Sequence, residues 1–398
     1  MASTGRPVQL RIERVVAGGD ALAHGPDGRV VFVPGALPGE LVSAELVSSK
    51  RDFARAALLD VVEPSASRVG PPCRELARGC GGCDWQHVDP AAQLALKVEI
   101  VRDALRRTAK LPDAPVRAGR SVPAWAYRTS MRLALDTDGH AALRAARSND
   151  AVPVEECLVA HPALAELLPS LRIAGADEVS LRVGVASGLR SAWWVPDDAV
   201  ASGVGPDVGT GPGAWITERI AGRDLRVSAA SFFQSGPHAA ELLVDVVREV
   251  AGDDLDAALT VVDAYGGVGL FASCAVPAGA RTVLVEGSPW ACADARANLA
   301  DRSAEVVESA MEEWTPTTAD VVVADPSRRG LGAAAVDRLA ATNAETIVLV
   351  SCDPVALARD ATLLAPRYEL ASATVVDLFP QTHHVEVVSR FERRASQS

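Results

Sequence analysis

From about residue 226 onward the chain repeats one rhythm: a short β-branched run, a turn rich in glycine or acid, then a helical pattern. FFQSGPHAAELLVDVVREVA reads as a helix, and TVVDAYGGVGLFASCAV, TVLVEGSPWACADARANLA and TIVLVSCDPVALARDATLLA each read strand–turn–helix. DVVVADPSRRG adds a strand and its loop, and TVVDLFPQTHHVEVVSRFER closes with strands. Strands that alternate with helices lie parallel, with the helices covering both faces of the sheet. In such a sheet, ligands bind beyond the carboxyl ends of the strands. The residues that end those strands are therefore the candidates for chemistry.

The first such end is DAYGGVGLF, residues 263–271, whose glycines let the backbone approach a ligand closely. The next strand, VLVE, ends in Glu286, a carboxylate placed to accept hydrogen bonds from both ribose hydroxyls of an adenosine. The turn reads G-G-x-G rather than G-x-G-x-x-G, which favours S-adenosylmethionine over a dinucleotide. Asp263, just before the turn, also suits that reading. Asp325 ends a further strand, and Cys352 ends another, immediately before Asp353 and Pro354. Cys274 and Cys292 fall inside apolar helices and read as packing residues. Cys352, at an element end, does not. Glu386 stands early in the last strand, behind two histidines.

A methyl sulfonium, a thiol and a carboxylate together suggest methylation of a pyrimidine at C5. That carbon is too weak a nucleophile to take the methyl unaided. A thiolate added at C6 makes C5 enolate-like, so covalent catalysis is required. A base must then remove the C5 proton so that the thiolate can leave. Cys352 fits the first role and Glu386 the second. The dipole of the helix after Pro354 is expected to help lower the thiol pKa.

Upstream, residues 7–64 read as short strands punctuated by Gly, Pro and Asp turns, which suggests a small barrel. Residues 90–110 carry helical periodicity, and residues 120–225 read as a mostly antiparallel domain. Net charge is −12, but it is uneven: residues 1–160 carry 21 Lys+Arg against 19 Asp+Glu, and the other 238 carry 18 against 32. The acidic total argues against a non-specific polyanion binder but leaves room for a local basic groove in the first half. Candidate RNA contacts there are Phe53 with Arg51 and Arg55, and YRTSMR at 127–132. The N-terminus, MASTGRPVQLRIERVV, has no apolar signal core, and no run is long enough to span a bilayer. A cytoplasmic protein with reduced thiols and no membrane association is expected. Cys73, Cys80 and Cys83 stand in a C-x6-C-x2-C arrangement, with Cys157 remote. Four thiolates suit zinc or an iron–sulfur cluster; three local ligands and one distant lean toward the cluster.

FFQ at 232–234, DAYGGVGLF, VLVE, DPSR, VSCDP and HHVE occur in the order seen in the RNA uridine-C5 methyltransferases, and the chain resembles that family over nearly its whole length. The resemblance implies that GGDALAH…GRVVFVPGALPGELVSAEL is a TRAM domain, an OB-like RNA-binding barrel. It implies S-adenosylmethionine contacts from Gln234, Tyr265, Glu286 and Asp325, with Cys352 as nucleophile and Glu386 as general base. It implies a [4Fe–4S] cluster on Cys73, Cys80, Cys83 and Cys157, with a structural or RNA-positioning role. The family commonly has Cys at Gly266, Asn at Asp353, and Pro or Ala at Ser327. Asp353 adds charge beside the thiol and opposes ionisation unless it is paired.

The expected fold is multidomain α/β. Residues 1–65 form the TRAM barrel, 66–225 a mostly antiparallel central domain with the iron–sulfur site, and 226–398 a Rossmann-like methyltransferase domain. The expected substrate is 23S ribosomal RNA, with transfer RNA as the alternative, and the expected state is a monomer. Two rivals of other classes are a cluster-bearing RNA-binding protein without catalysis and an NAD-dependent oxidoreductase.

Overall fold

The structure, a computed structural model, describes residues 7–395. The first six residues, part of the segment read for a signal core, lie outside them. Among the described residues no helix is long and apolar enough to cross a membrane.

Eight strands form the principal sheet, in the spatial order Ala304–Glu308, Arg281–Glu286, Thr260–Ala264, Val321–Ala324, Thr346–Ser351, Glu386–Arg393, Tyr368–Asp377, Val116–Ser121. The first five are mutually parallel. Glu386–Arg393 enters antiparallel between Thr346–Ser351 and Tyr368–Asp377. The central strands are buried on both sides, which is why they read as unbroken apolar runs rather than alternating ones. Their side chains divide between two cores. Ile347 and Leu349 pack with Val101, Leu339 and Leu357, while Val348 and Val350 pack with Leu243, Val247 and Phe271 on the other face.

Elements upstream of residue 226 also pack on the principal sheet. Helix Pro90–Ala104 contributes Val98, Ile100 and Val101 to the catalytic core. Strand Val116–Ser121 pairs parallel with Tyr368–Asp377 and forms the sheet's outer strand. Both lie in the segment assigned to the central domain. The helix starts where Asp89 caps it by accepting from the Ala91 amide, with Pro90 in the first turn. Its apolar face needed a partner, and the otherwise bare flank of the sheet supplies one.

The same helix fastens the loop that leads into Glu386. Lys97, fully buried, donates from Nζ to Asp377 Oδ1 at 2.6 Å and to the Phe379 carbonyl at 3.1 Å. The Gln381 amide donates to Gln93 Oε1 at 2.7 Å, and Gln93 Nε2 donates to Gln381 Oε1 at 3.1 Å. The Trp85 amide donates to the Gln381 carbonyl, and the Tyr127 hydroxyl donates to the Pro380 carbonyl. Burial pulls the Lys97 ammonium down and pushes the Asp377 carboxyl up, so desolvation consumes much of the pair's Coulomb attraction. What the pair contributes is position.

The rest of residues 122–210 holds a six-stranded sheet, antiparallel except for its outermost pair, as expected. The N-terminal unit is a six-stranded sheet with its own core of Leu10, Ile12, Val31, Val42 and neighbours. Among the described residues no ladder joins its outermost strands, Val8–Arg11 and Arg14–Val15.

Removing one partner of the buried pair is the informative change. Lys97→Met is expected to lower unfolding free energy in urea by about 3–5 kcal/mol, because an unpaired carboxylate is left buried. Lys97→Met with Asp377→Leu should recover most of that loss. Equal stability of the single variant and the wild type would show that the pair fastens nothing.

Candidate active site

Glu286 is the last residue of its strand, Asp325 follows Ala324, and Cys352 follows Ser351. Parallel strands deliver these three side chains to one edge of the sheet. Glu386 reaches the same edge from the opposite direction, because it opens an antiparallel strand. Ser351 pairs with Val387, so Cys352 and Glu386 leave adjacent strands one step beyond that pair. All four, with Gln234 and Tyr265, line one cleft of ≈ 560 Å³. That size suits a ligand larger than a single base.

At one end of the cleft lies the glycine turn. Tyr265 takes a left-handed backbone (φ 59°), as do Gly267 and Gly269. Asp263, fully buried, braces the turn by accepting from the Ala272 amide at 2.9 Å, and burial pushes its carboxyl up to about 7. Glu286 accepts from the Gly267 amide at 3.0 Å through one oxygen and from the Ser288 amide at 2.7 Å through the other. These bonds orient the carboxylate and leave further lone pairs for a ligand's hydroxyls. A Cβ at Gly266 would stand 2.5 Å from Leu284 Cγ, so here the leucine occupies the space where the resembled family commonly has a cysteine side chain.

At the other end are Cys352, Asp325, Glu386 and Arg328. Burial pushes the Cys352 thiol up to about 12; Glu386 and Asp325 add to the rise and Arg328 opposes it. Burial also raises Glu386 well above the usual carboxylate range, with Asp325 adding to it, and raises Asp325 to about 7. Two carboxyls and a thiol in one poorly solvated cleft do not ionise readily together, and burial favours the protonated form of each. Helix Pro354–Leu364 starts directly after this thiol. Asp353 caps that helix, its Oδ1 accepting from Val355 at 2.9 Å and Ala356 at 2.7 Å. The amides at the helix start are thus taken by Asp353, and its charge is paired by the same bonds.

Arg328 was not singled out from the sequence, although it follows Asp325 by three residues in a loop at the strand end. Its guanidinium lies 3.5 Å from His384 Nε2. Burial, with His383 and Arg328, pulls His384 down to about 3, so the ring is neutral and offers a lone pair to the arginine. Phe379 stands edge-on to that ring at 6.0 Å. His383 Nδ1 meets Asp84 Oδ2 at 2.5 Å, tying the catalytic loop to the cysteine-rich segment.

Cys73, Cys80, Cys83 and Cys157 all line a second, smaller cavity. Among the described residues, no three ligand-type side chains converge as a single metal ion requires. Burial raises the thiols of Cys80, Cys83 and Cys157, with Cys83 reaching about 12. The Gly82 amide points at Cys80 Sγ at 3.4 Å, an orientation that favours thiolate sulfur. At Gly81 a Cβ would stand 2.6 Å from the Ala146 amide nitrogen, so the segment needs glycine there to reach this cavity.

The proposed RNA contacts fare unevenly. Tyr127 is buried, with its hydroxyl spent on Pro380, and cannot stack on a base. Arg128 lies over both Tyr127 and Phe379, at 5.8 Å and 5.7 Å, and joins the catalytic loop's support. Lys50 lies over the ring of half-buried Phe53, while Arg55 pairs with Asp20 at 2.7 Å.

Residues 310–394 match the family model described as tRNA (Uracil-5-)-methyltransferase, and residues 3–59 match the TRAM domain. The chain is 34% identical to an uncharacterized RNA methyltransferase of Streptomyces avermitilis, over 98% of this chain and 99% of that one. It is 31% identical to the 23S rRNA (uracil(1939)-C(5))-methyltransferase RlmD of Shewanella halifaxensis, over 97% and 95% of the two chains. The crystal structure of the Pyrococcus abyssi tRNA (uracil-54, C5)-methyltransferase in complex with S-adenosyl-L-homocysteine shares the fold, with a TM-score of 0.71, 24% identity, and coverage of 96% of this chain and 100% of that one. The family-model matches, an N-terminal TRAM domain and full-length relatedness lead to one conclusion: the chain belongs to the S-adenosylmethionine-dependent RNA uracil-C5 methyltransferases.

Proposed function

We propose that this enzyme methylates C5 of a uridine in 23S ribosomal RNA through a covalent bond between Cys352 and C6. The observation that carries the reading is the emergence of Cys352 and Glu386 from paired strands into one cleft. Full-length similarity to a 23S enzyme favours that substrate, and the family model covering residues 310–394 makes transfer RNA the second reading. Seven free cysteines suit a reducing cytoplasm, and the enzyme is taken to act as a monomer.

S-adenosylmethionine, when bound, supplies an electrophilic methyl group. Glu286 would accept from the ribose hydroxyls, and Gln234, Tyr265 and Asp325, which line the same cleft, would contact the remainder of that ligand. Cys352 and Glu386 first lose their protons to solvent, and the Cys352 sulfur then forms a bond to C6 of the uracil as the C5–C6 double bond opens. The electron pair released toward C5 takes the methyl. Glu386 accepts the C5 proton, the C5–C6 double bond re-forms, and the sulfur departs with its electron pair. Arg328 favours the ionised forms of both Cys352 and Glu386, and the bound base displaces the water left in the cleft.

Four cysteines around one cavity are the donor set of an iron–sulfur cluster. Cys73, Cys80, Cys83 and Cys157 would hold it, and it would cross-link residues 73–157 next to the loop that Asp84 and Trp85 support.

Cys352→Ala is expected to abolish 5-methyluridine formation, read by nucleoside mass spectrometry. Glu386→Gln should instead accumulate a methylated protein–RNA adduct, seen as a denaturation-resistant band. Turnover by Cys352→Ala would falsify the covalent route. The high thiol pKa makes a separate prediction. Without RNA, alkylation of Cys352 at about pH 8 should run at least roughly a hundredfold slower than that of a free cysteine, and rise about tenfold per pH unit toward pH 10. A plateau near neutral pH would show a resting thiolate. Chelating iron from anaerobically purified protein should bleach its visible absorbance and lower its melting temperature or its RNA affinity; an unchanged melt with full activity would remove the cluster from the account.

A further inference from the structure

Among the described residues, three aromatic rings are largely exposed: Trp215 (44%), Trp290 (43%) and Phe232 (72%). Phe232 lines the cleft, and the two tryptophans stand on elements bound to one another beside it. Trp290 sits in the first turn of helix Pro289–Asn298, between Ser288 and Ala291, both of which line the cleft. Trp215 opens the hairpin strand Trp215–Ile220, whose partner strand Arg223–Ser228 runs on toward Phe232.

Those elements are held rigidly. Asp294, fully buried on the Trp290 helix, accepts from the Ser228 amide at 2.8 Å and from the hydroxyls of Ser228 and Ser231, each at 2.7 Å. Arg226 donates to the same carboxylate at 3.1 Å and lays its guanidinium over the Trp215 ring, 5.1 Å from the centroid. The backbone at Gly213 approaches the Trp290 ring so closely that a Cβ there would stand 3.2 Å from it. Isolated exposed apolar residues such as Val200 or Leu259 need no explanation. Exposed rings gathered beside one cleft, with a partly solvated guanidinium among them, do.

We propose that Trp215, Trp290 and Arg226 form a stacking platform for the nucleotides next to the target uridine. The inference rests on the RNA-methylating function proposed above. A uridine whose C5 must reach the cleft has to leave its stack, and its neighbours then lose a stacking partner. Indole faces replace that partner without regard to sequence, and Arg226 stands close enough to answer a backbone phosphate. The occupant is one unpaired RNA strand that continues outward from the cleft past Phe232. The acidic half of the chain thereby contributes to RNA binding through rings rather than net charge.

The test is equilibrium binding of a fluorescein-labelled oligouridylate of about twelve nucleotides, measured across salt concentrations. Trp215→Ala and Trp290→Ala should each weaken binding about tenfold, with the salt slope unchanged because no phosphate contact is lost. Trp→Phe at either position should restore most of the affinity, and S-adenosylmethionine binding should match the wild type. Wild-type RNA affinity in both alanine variants, or a comparable loss of S-adenosylmethionine binding, overturns the platform. Methyl transfer to bulk RNA by the wild type is followed in parallel. Transfer by the wild type together with undiminished binding by the variants sinks the platform alone. Weakened variant binding without any wild-type transfer to uridine sinks the methylation reading and leaves the platform standing.

Discussion

Everything at the reaction centre depends on one antiparallel strand set into a parallel sheet. Parallel order alone brings side chains to the sheet edge at the ends of strands, as it does for Glu286, Asp325 and Cys352. A second reactive group beside the thiol needs a strand that begins where its neighbour finishes. Glu386–Arg393 does this, and its ladder with Thr346–Ser351 sets the spacing between sulfur and carboxyl. The register is well determined because both strands are almost entirely buried; a one-residue slip would turn Val387 and Phe391 out of their core.

Such placement has an electrostatic cost. Cys352, Asp325 and Glu386 share a cleft in which burial disfavours the ionisation of all three, Glu386 and Asp325 disfavour that of Cys352, and Asp325 disfavours that of Glu386. Arg328 is the cation facing them, and it stands on an exposed loop where water screens it. These effects together favour the neutral thiol at Cys352. That guards the sulfur against adventitious oxidation and alkylation, since both proceed through the thiolate. The loop before Glu386 is then held by groups outside the catalytic repeats: Lys97, Gln93, Trp85 and Tyr127.

Much of this was legible in the sequence, for identifiable reasons. Strand ends announce themselves where a β-branched run stops at Glu286, Asp325 or Cys352, and the direction of a parallel sheet makes those ends converge. Cys274 and Cys292 were separable from Cys352 by their helical surroundings alone. Less could be read where the outcome depends on distant packing. Nothing local in PAAQLALKVEIVRDALRRTAK says that its lysine will be buried against Asp377, 280 positions away. Tyr127 and Arg128 resemble an exposed stacking pair, yet tertiary contacts turn them inward as supports. That Asp353 would cap the helix after Cys352, accepting from the amides of Val355 and Ala356, was likewise not read from the sequence.

The outer strand Val116–Ser121 has a wider consequence. It covers the flank of Tyr368–Asp377, a ten-residue strand that would otherwise present a long row of free amides and carbonyls. Ribbons of that kind recruit one another into intermolecular stacks. A shortened polypeptide starting at the methyltransferase repeats would keep the residues of chemistry and lose this guard, so its first failure would be clumping rather than inactivity. The upstream segment is therefore a solubility device for the sheet whose edge it covers.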